Sequence, residues 1–185
     1  MKPTIEQIEH FFRLVDKKLV TKDNLQRYLE NPNSLLNPIL NGTVIKIDRS
    51  QPFNPAELIG AGWAIAEQDE LSLALSEVNL DNVHLVTTLK DGENSVQGEE
   101  KLRRLKATGE IRLDAKVFQT LWENKELIPK SWKGKRVYFD GTILRDPYGR
   151  RFVLYLCWYG DKWSWGCRWL RDVWRGSEPS AVLAK

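Results

Sequence analysis

This chain has few of the side chains on which enzyme and metal chemistry usually depend. Its 185 residues include two cysteines and two histidines. Cys157 and Cys167 allow one bridge at most, and we expect free thiols. His10 and His84 lie far from each other and from the cysteines in sequence, so the spacing of a metal site is absent and none is predicted. No apolar run approaches the roughly 18 residues of a membrane-spanning helix.

Motifs of the common catalytic sites are also missing. The sequence contains no GxSxG elbow, Walker loop, HExxH helix or GxGxxG fingerprint. An enzyme using carboxylates is the remaining catalytic alternative, because Asp140, Asp146 and Asp161 lie near predicted turns. Aspartates at turns more often serve as caps for backbone N–H groups. We therefore predict a protein that is not an enzyme and has no cofactor.

Composition predicts a folded, soluble chain. Apolar residues make up 42% and charged residues 29%, which argues against disorder. The net charge of +3 is too mild for a dedicated nucleic-acid-binding protein, although Arg168, Arg171 and Arg175 form a local basic cluster. The first twelve residues contain acids where a signal peptide needs an apolar segment, so we expect synthesis in the cytoplasm.

Two helices are predicted near the start of the chain. Residues 4–19 have apolar side chains at helical spacing, with Thr4 as the N-cap. Thr21 can cap a second helix, which ends near Asn31 because Pro32 follows. We therefore divide the chain into an N-terminal helical segment, 1–36, and a main domain, 37–185.

The middle of the chain predicts short strands. These lie at residues 43–47, 63–66, 71–75 and 83–89, with 63–66 and 71–75 pairing across 67–70. Asn54 and Pro55 are a cap and a first helical residue, and that brief helix ends at Gly60 or Gly62. His84 is expected to be a half-buried strand residue.

Two longer helices follow. A charged helix over 99–107 ends at Gly109, and its basic residues are predicted to form a solvated face. Those residues are Lys101, Arg103, Arg104 and Lys106. Asp114 can cap the next helix, 115–124, which has an apolar stripe.

From Arg136 the hydrophobic period changes to two. Strands at 136–139, 142–144 and 152–158 are separated by Asp140-Gly141 and by a turn over 146–149. This pattern predicts an antiparallel meander, and residues 180–183 form a last strand of the sheet. Because helices and strands are segregated along the chain, the fold class is α+β.

The meander leads into residues 154–179, which contain five of the eight tryptophans. These are Trp158, Trp163, Trp165, Trp169 and Trp174. Residues of no consistent class fill the gaps between them. From the pattern alone, an ordinary Trp-rich core with a solvated face is the favoured interpretation, and a display surface is the alternative.

The frame around these tryptophans resembles one known family. It reads FDGTILRDPYGRRFVLYL at 139–156, then WSW at 163–165, WL at 169–170 and PSAVLA at 179–184. This frame is similar to the variable proteins of diversity-generating retroelements, especially those of very small archaea and bacteria and their viruses. The similarity begins near residue 43. It implies a C-type-lectin-type fold whose residues 154–179 are rewritten by error-prone reverse transcription.

The resemblance implies roles for individual residues. The five tryptophans would be a constant scaffold. The displayed, ligand-binding set would be Tyr159, Asp161, Ser164, Gly166, Cys167, Arg168, Arg171, Asp172, Val173, Arg175 and Ser177. Rewritten asparagine codons cannot yield Lys or Glu, so Lys162 and Glu178 would be constant or come from other codons. No calcium site is expected, because Glu178-Pro179-Ser180 only partly matches the lectin Glu-Pro-Asn sequence and Trp-Asn-Asp is absent.

The function implied is non-enzymatic recognition of a macromolecule, most simply a protein. The side chains that meet the ligand should be interchangeable with little effect on folding, because the tryptophans supply the stability. The final location is left open, with a cell or virion surface as one option. The alternative function is a small nucleic-acid-binding module that uses Arg168, Arg171 and Arg175.

Overall fold

The computed structural model describes residues 44–184. The two helices predicted over residues 4–31, and with them the N-terminal segment 1–36, lie outside the described residues. No helix within the described range is long and apolar enough to cross a membrane.

Strands outnumber helices in the described part of the chain. The α-helices are α1 Pro55–Leu58, α2 Glu70–Leu73, α3 Gly98–Thr108 and α4 Ala115–Glu123. The strands are β1 Val44–Lys46, β2 Ala64–Gln68, β3 Glu77–Asn79, β4 Val83–Val86, β5 Ser95–Gln97, β6 Ile111–Arg112, β7 Arg136–Tyr138, β8 Thr142–Arg145, β9 Arg151–Tyr159, β10 Lys162–Trp169, β11 Val173–Arg175 and β12 Ser180–Leu183. The predicted α+β class is confirmed.

One large sheet organises the domain around β9. Its order is β2-β8-β9-β7-β12-β4, with β10 paired to β9 and β6 paired to β12. All of these pairs are antiparallel except β7 with β12. Strand β10 follows β9 along one edge, while β8 and then β7 occupy the other edge in succession. The last strand, β12, joins this sheet as predicted.

The predicted meander is wrong at its first step, because β7 and β8 do not pair with each other. Both pair with β9, so Asp140-Gly141 connects two strands that share one neighbour. Gly141 is needed for a different reason. Its N–H donates to the Leu113 carbonyl at 2.9 Å, and a Cβ there would lie 2.1 Å from the Arg112 oxygen. A close backbone approach, not a hairpin, explains the glycine.

The predicted strand at 71–75 is also wrong. Residues Glu70–Leu73 form α2, because the Asp69 side chain caps it by accepting from the Leu71 N–H at 3.1 Å. Strand β2 then pairs with β8 and not with its immediate successor. An alternating run of five residues is too short to separate strand from helix by period alone.

The helix ends follow the predicted caps, but one helix face does not match its prediction. Asn54 caps α1, Asp114 caps α4, and Gly109 ends α3 at a φ of +74°. The end of α1 is the exception, because it lies at Leu58 and not at Gly60 or Gly62. Lys101, however, is completely buried, although its helix was expected to turn all its basic residues to solvent. His84 is exposed and not half-buried.

Two core clusters lie on opposite faces of the central strands. The first cluster packs α4 against one face, through residues such as Phe118, Leu154 and Leu156. The second cluster packs α3, β5 and β11 against part of the other face, around Tyr138 and Trp174. Because the second cluster covers only part of its face, the remainder is available to form a surface.

Candidate ligand-binding face

The register of β9 with β10 decides where the Trp-rich stretch points its side chains. Directly opposed residues of an antiparallel pair share a face, and successive residues alternate between faces. One face carries the pairs Trp163–Trp158, Trp165–Leu156, Cys167–Leu154 and Trp169–Phe152. The other face carries Lys162–Tyr159, Ser164–Cys157, Gly166–Tyr155 and Arg168–Val153. We call the second of these the display face.

The tryptophans pack on the opposite side of the sheet or beneath the display face. Trp165 makes edge-on contacts with Phe118 and Trp122, at centroid distances of 6.0 and 6.3 Å. Trp158 and Trp163 stack edge-on at 5.3 Å. Trp174 is 1% exposed, whereas the other four indoles of the stretch are half-buried. These contacts place the indoles in structural positions.

The eleven displayed residues named from the sequence divide by exposure. Six are exposed: Tyr159, Asp161, Arg171, Val173, Arg175 and Ser177. Five are half-buried: Ser164, Gly166, Cys167, Arg168 and Asp172. Tyr159 and Asp161 lie at the β9–β10 turn, and the other four exposed residues lie from residue 171 onward, after β10 ends.

A groove of about 370 Å³ brings part of this set together. Tyr159 at the end of β9 lines it together with Arg175, the last residue of β11, and Ser177, which follows that strand. The groove is lined by Gly134, Lys135, Arg136, Cys157, Trp158, Tyr159, Arg175, Ser177 and Glu178. Residues separated by some sixteen positions in sequence are therefore neighbours, because β11 returns beside the second core cluster. We call this the Tyr159 groove.

Glu178 organises one side of the groove. Its carboxylate is 5% exposed and accepts from Arg136 Nη1 at 2.7 Å and from the Arg175 backbone N–H at 2.8 Å. Arg168 Nη1 donates to the same carboxylate and its Nη2 donates to the Val173 carbonyl at 2.7 Å. Arg168 also lies 5.2 Å above the Trp174 ring. Its side chain is consequently structural and is not free to vary without cost.

The Tyr155 ring lies against Gly166 and limits what can replace this glycine. A Cβ at this position would lie 2.7 Å from the Tyr155 hydroxyl oxygen and 2.8 Å from its Cζ. An aromatic ring over a glycine on an edge strand compensates for the missing side chain. Any substitution at position 166 therefore requires Tyr155 to move, and this residue shapes the display face indirectly.

The two cysteines lie on opposite faces of the β9–β10 pair. Cys157 lines the groove, whereas Cys167 packs against the first core cluster. Side chains on opposite faces of one sheet cannot meet, which agrees with both thiols being free. Burial raises the pKa of each thiol, so neither is activated as a nucleophile. Cys167 is thereby separated from the other residues expected to meet a ligand.

A scan against protein-family models, a search of curated proteins and a search of solved structures each find no match to this chain. The interpretation of the face therefore depends on its own geometry. The three arginines of the nucleic-acid alternative are dispersed. Arg168 turns inward, Arg175 lines the groove, and Arg171 stacks on Trp169 at 5.6 Å, with the opposite face.

Two of the three aspartates of the catalytic alternative, Asp140 and Asp146, are engaged in structural contacts. Asp140 accepts from the Ser180 hydroxyl at 2.5 Å and lies 3.5 Å from Lys101 Nζ. Asp146 accepts from two backbone N–H groups of its own turn and pairs with Arg150 at 2.7 Å. Asp161 lies in the exposed β9–β10 turn. The three carboxylates are thus not neighbours around one cleft.

Sequence reasoning missed four residues that line the groove: Gly134, Lys135, Arg136 and Cys157. The alternation in Arg136–Tyr138 indicates that the Arg136 side chain lies on the face opposite to that of Val137. Its neighbour across the sheet is Cys157, and that pairing joins residues 21 positions apart. No local pattern in the sequence reports such a pairing.

Proposed function

We propose that this chain is a non-enzymatic binding protein that presents a diversified surface, of the kind rewritten by a retroelement, to a macromolecular ligand. The display face and the Tyr159 groove would form that surface. The proposal includes a C-type-lectin-type fold for the main domain and requires no cofactor. The resemblance of residues 139–184 and the α+β architecture support this fold.

The convergence of Tyr159, Arg175 and Ser177 in one groove is the observation that most supports the proposal. A purely structural Trp-rich core would leave such residues scattered over the surface. Tyr provides a large contact area with few rotatable bonds, Arg provides several hydrogen-bond donors, and Ser adapts its hydrogen bonding to different ligands. Four of the tryptophans pack on the opposite face of the sheet, and Trp174 packs beneath the display face. This is the division of roles that a replaceable surface needs.

The first prediction concerns tolerance to substitution. Replacing Tyr159, Arg171, Arg175 and Ser177 together by other polar residues should leave the melting temperature nearly unchanged, because surface substitutions usually cost less than about 0.5 kcal/mol each. Arg168→Ser should instead lower stability by about 1–3 kcal/mol, because it removes a charged partner from the buried Glu178 carboxylate. Thermal unfolding monitored by circular dichroism measures both.

Comparing these variants distinguishes residues that only face the ligand from residues that stabilise the fold. Arg171→Ser is the matched control for Arg168→Ser, since both are arginines of the same segment and only Arg168 reaches Glu178. If the fourfold variant unfolds at a much lower temperature than the parent protein, these side chains stabilise the fold and the proposal fails.

The second prediction concerns the origin of the surface. DNA beside the gene should contain a near-copy of the codons for residues 154–179 that differs at adenines, next to a reverse-transcriptase gene. Sequencing the locus tests this directly. A locus with neither feature would refute the retroelement part of the proposal and leave the binding part to be judged by the tolerance experiment.

A further inference from the structure

We infer that the Tyr159 groove selects an acidic segment of a protein, and that residues outside the displayed set impose this preference. The inference rests on the proposed function, because it assigns a ligand chemistry to the same surface. It adds that the cations near the groove are constant residues, whereas the displayed side chains vary.

Three exposed lysines lie in or near the groove. Lys135 lines it, Lys133 lies with its Nζ 3.3 Å from the Trp158 ring centroid, and Lys162 is directly opposite Tyr159 on the display face. Within residues 44–184 no carboxylate forms an ion pair with any of the three. Their charges are therefore available to a ligand.

Negative charge near the groove is already neutralised. Glu178 is buried against two guanidinium groups, those of Arg136 and Arg168. Within the stretch 154–179, every residue of which is described, the carboxylates that reach solvent are those of Asp161 and Asp172, and Asp172 pairs with Arg168 at 3.4 Å. Adding Arg175, which lines the groove and is exposed, leaves a clear excess of positive charge at this site. Complementary charge steers association and excludes basic partners.

Two of the three lysines have an ordering contact: Lys133 with Trp158, and Lys135, whose Nζ donates to the Ser131 carbonyl at 2.9 Å. Lys133 is fixed over Trp158, a contact that orders its side chain before any ligand arrives. Tyr159 provides aromatic area in the groove, which Trp158 also lines. Such a site suits a short acidic segment that also carries apolar side chains, because both kinds of contact are then used.

The lysines set the charge preference independently of the variable residues. Lys133 and Lys135 lie before the stretch 154–179, and Lys162 is not one of the eleven displayed residues. Changing Tyr159, Arg175 or Ser177 would alter the detailed fit, whereas the three lysines would remain. Proteins that differ only in the displayed residues should then all prefer acidic ligands.

A protein segment fits this site better than a nucleic acid does. The volume, about 370 Å³, is that of a pocket for a few side chains. A phosphate backbone is instead bound by cations spaced along a continuous track. Here Arg168 is turned inward and Arg171 lies with the opposite face, so the track is interrupted on both sides.

Selection from a random twelve-residue peptide library, displayed on phage, tests the inference with the full chain immobilised. The test variant is Lys133→Ser/Lys135→Ser/Lys162→Ser. The matched control is Lys90→Ser/Lys116→Ser/Lys125→Ser, which removes the same charge from lysines elsewhere on the domain. Selected peptides are synthesised and their affinities measured by fluorescence anisotropy at low and high salt.

We expect the selected peptides to be rich in Asp and Glu. Their affinity should fall at least tenfold in the test variant and should be unchanged in the control variant. Peptides without acidic enrichment that still lose affinity in Tyr159→Ala/Ser177→Ala would overturn the inference and leave the proposed function standing. If no peptide depends on either set of groove residues, both are wrong. A single-stranded oligonucleotide that binds as tightly as the peptides would overturn the choice of a protein segment.

Discussion

Lys101→Met is expected to lower the free energy of unfolding by about 3–5 kcal/mol, the usual cost of removing one partner from a buried ion pair. Lys101 Nζ lies 3.5 Å from Asp140 Oδ2, and both side chains are 1% exposed. The ammonium also lies 4.7 Å from the centroid of the Tyr138 ring. Without Lys101, the Asp140 carboxylate is left charged in the protein interior with only the Ser180 hydroxyl as a partner. Urea unfolding measures the difference.

The double variant Lys101→Met/Asp140→Asn distinguishes an unpaired charge from lost packing. Asparagine keeps an oxygen that accepts from Ser180 but bears no charge, so the double variant should recover much of the stability that the single variant loses. An additive or larger loss would mean that the ion pair is not what the lysine contributes.

The same lysine predicts a pH dependence. Burial lowers the pKa of Lys101 below its ordinary value of 10.5. Between the folded and unfolded pKa values the unfolded chain binds more protons, so this residue makes stability rise with pH across that window. Below the folded pKa the cost of burying the charge is present in full. Lys101→Met should lack this slope, and parallel pH profiles for the two proteins would contradict the assignment.

Trp174→Ala is the second change with a large expected effect, about 3–5 kcal/mol. The indole is 1% exposed and lies 5.2 Å from the Tyr138 ring and 5.2 Å from the Arg168 guanidinium. Gly98 lies against it, because a Cβ there would be 2.0 Å from Trp174 Cζ3. Removing the indole opens a cavity beneath the display face and releases Arg168. Thermal and urea unfolding measure the loss.

Val173→Ala is the matched control for Trp174→Ala. Val173 belongs to the same short strand but is 45% exposed, so its truncation should cost little. Equal losses from the two variants would show that β11 contributes through its backbone pairing with β5 and not through the indole. Trp174→Ala should also weaken peptide binding, since Arg168 and Glu178 depend on the packing that the ring provides.

Sequence predictions are accurate where the interaction that decides them is local along the chain. Asn54, Asp114 and Gly109 act on backbone groups within four residues, and each was recognised correctly. The strands predicted at 136–139, 142–144, 152–158 and 180–183 are also correct, because period two depends only on alternation, whereas β10 and β11 were not predicted. Errors appeared where a pattern is locally ambiguous, as in residues 71–75, which fold as a helix behind Asp69.

Within the candidate site, the tryptophan frame could be recognised from sequence but the roles of its neighbours could not. Arg168 and Arg171 look equivalent in the chain. Only the structure shows that one reaches Glu178 and the other stacks on Trp169. Strand alternation assigns Arg168 to one face of the sheet. It does not predict the contact with the buried Glu178 carboxylate, which lies between β11 and β12.

By itself, the sequence determined the helix caps, the positions of most strands, the α+β class and the Trp-rich frame, because these depend on neighbouring residues. The tertiary structure alone decided that β7 and β8 share β9, that Lys101 is buried and that a basic groove forms beside Tyr159. Lys101 illustrates the physical reason. On its helix it resembles any solvated lysine, and its environment is set by an aspartate 39 residues away that only folding brings within reach.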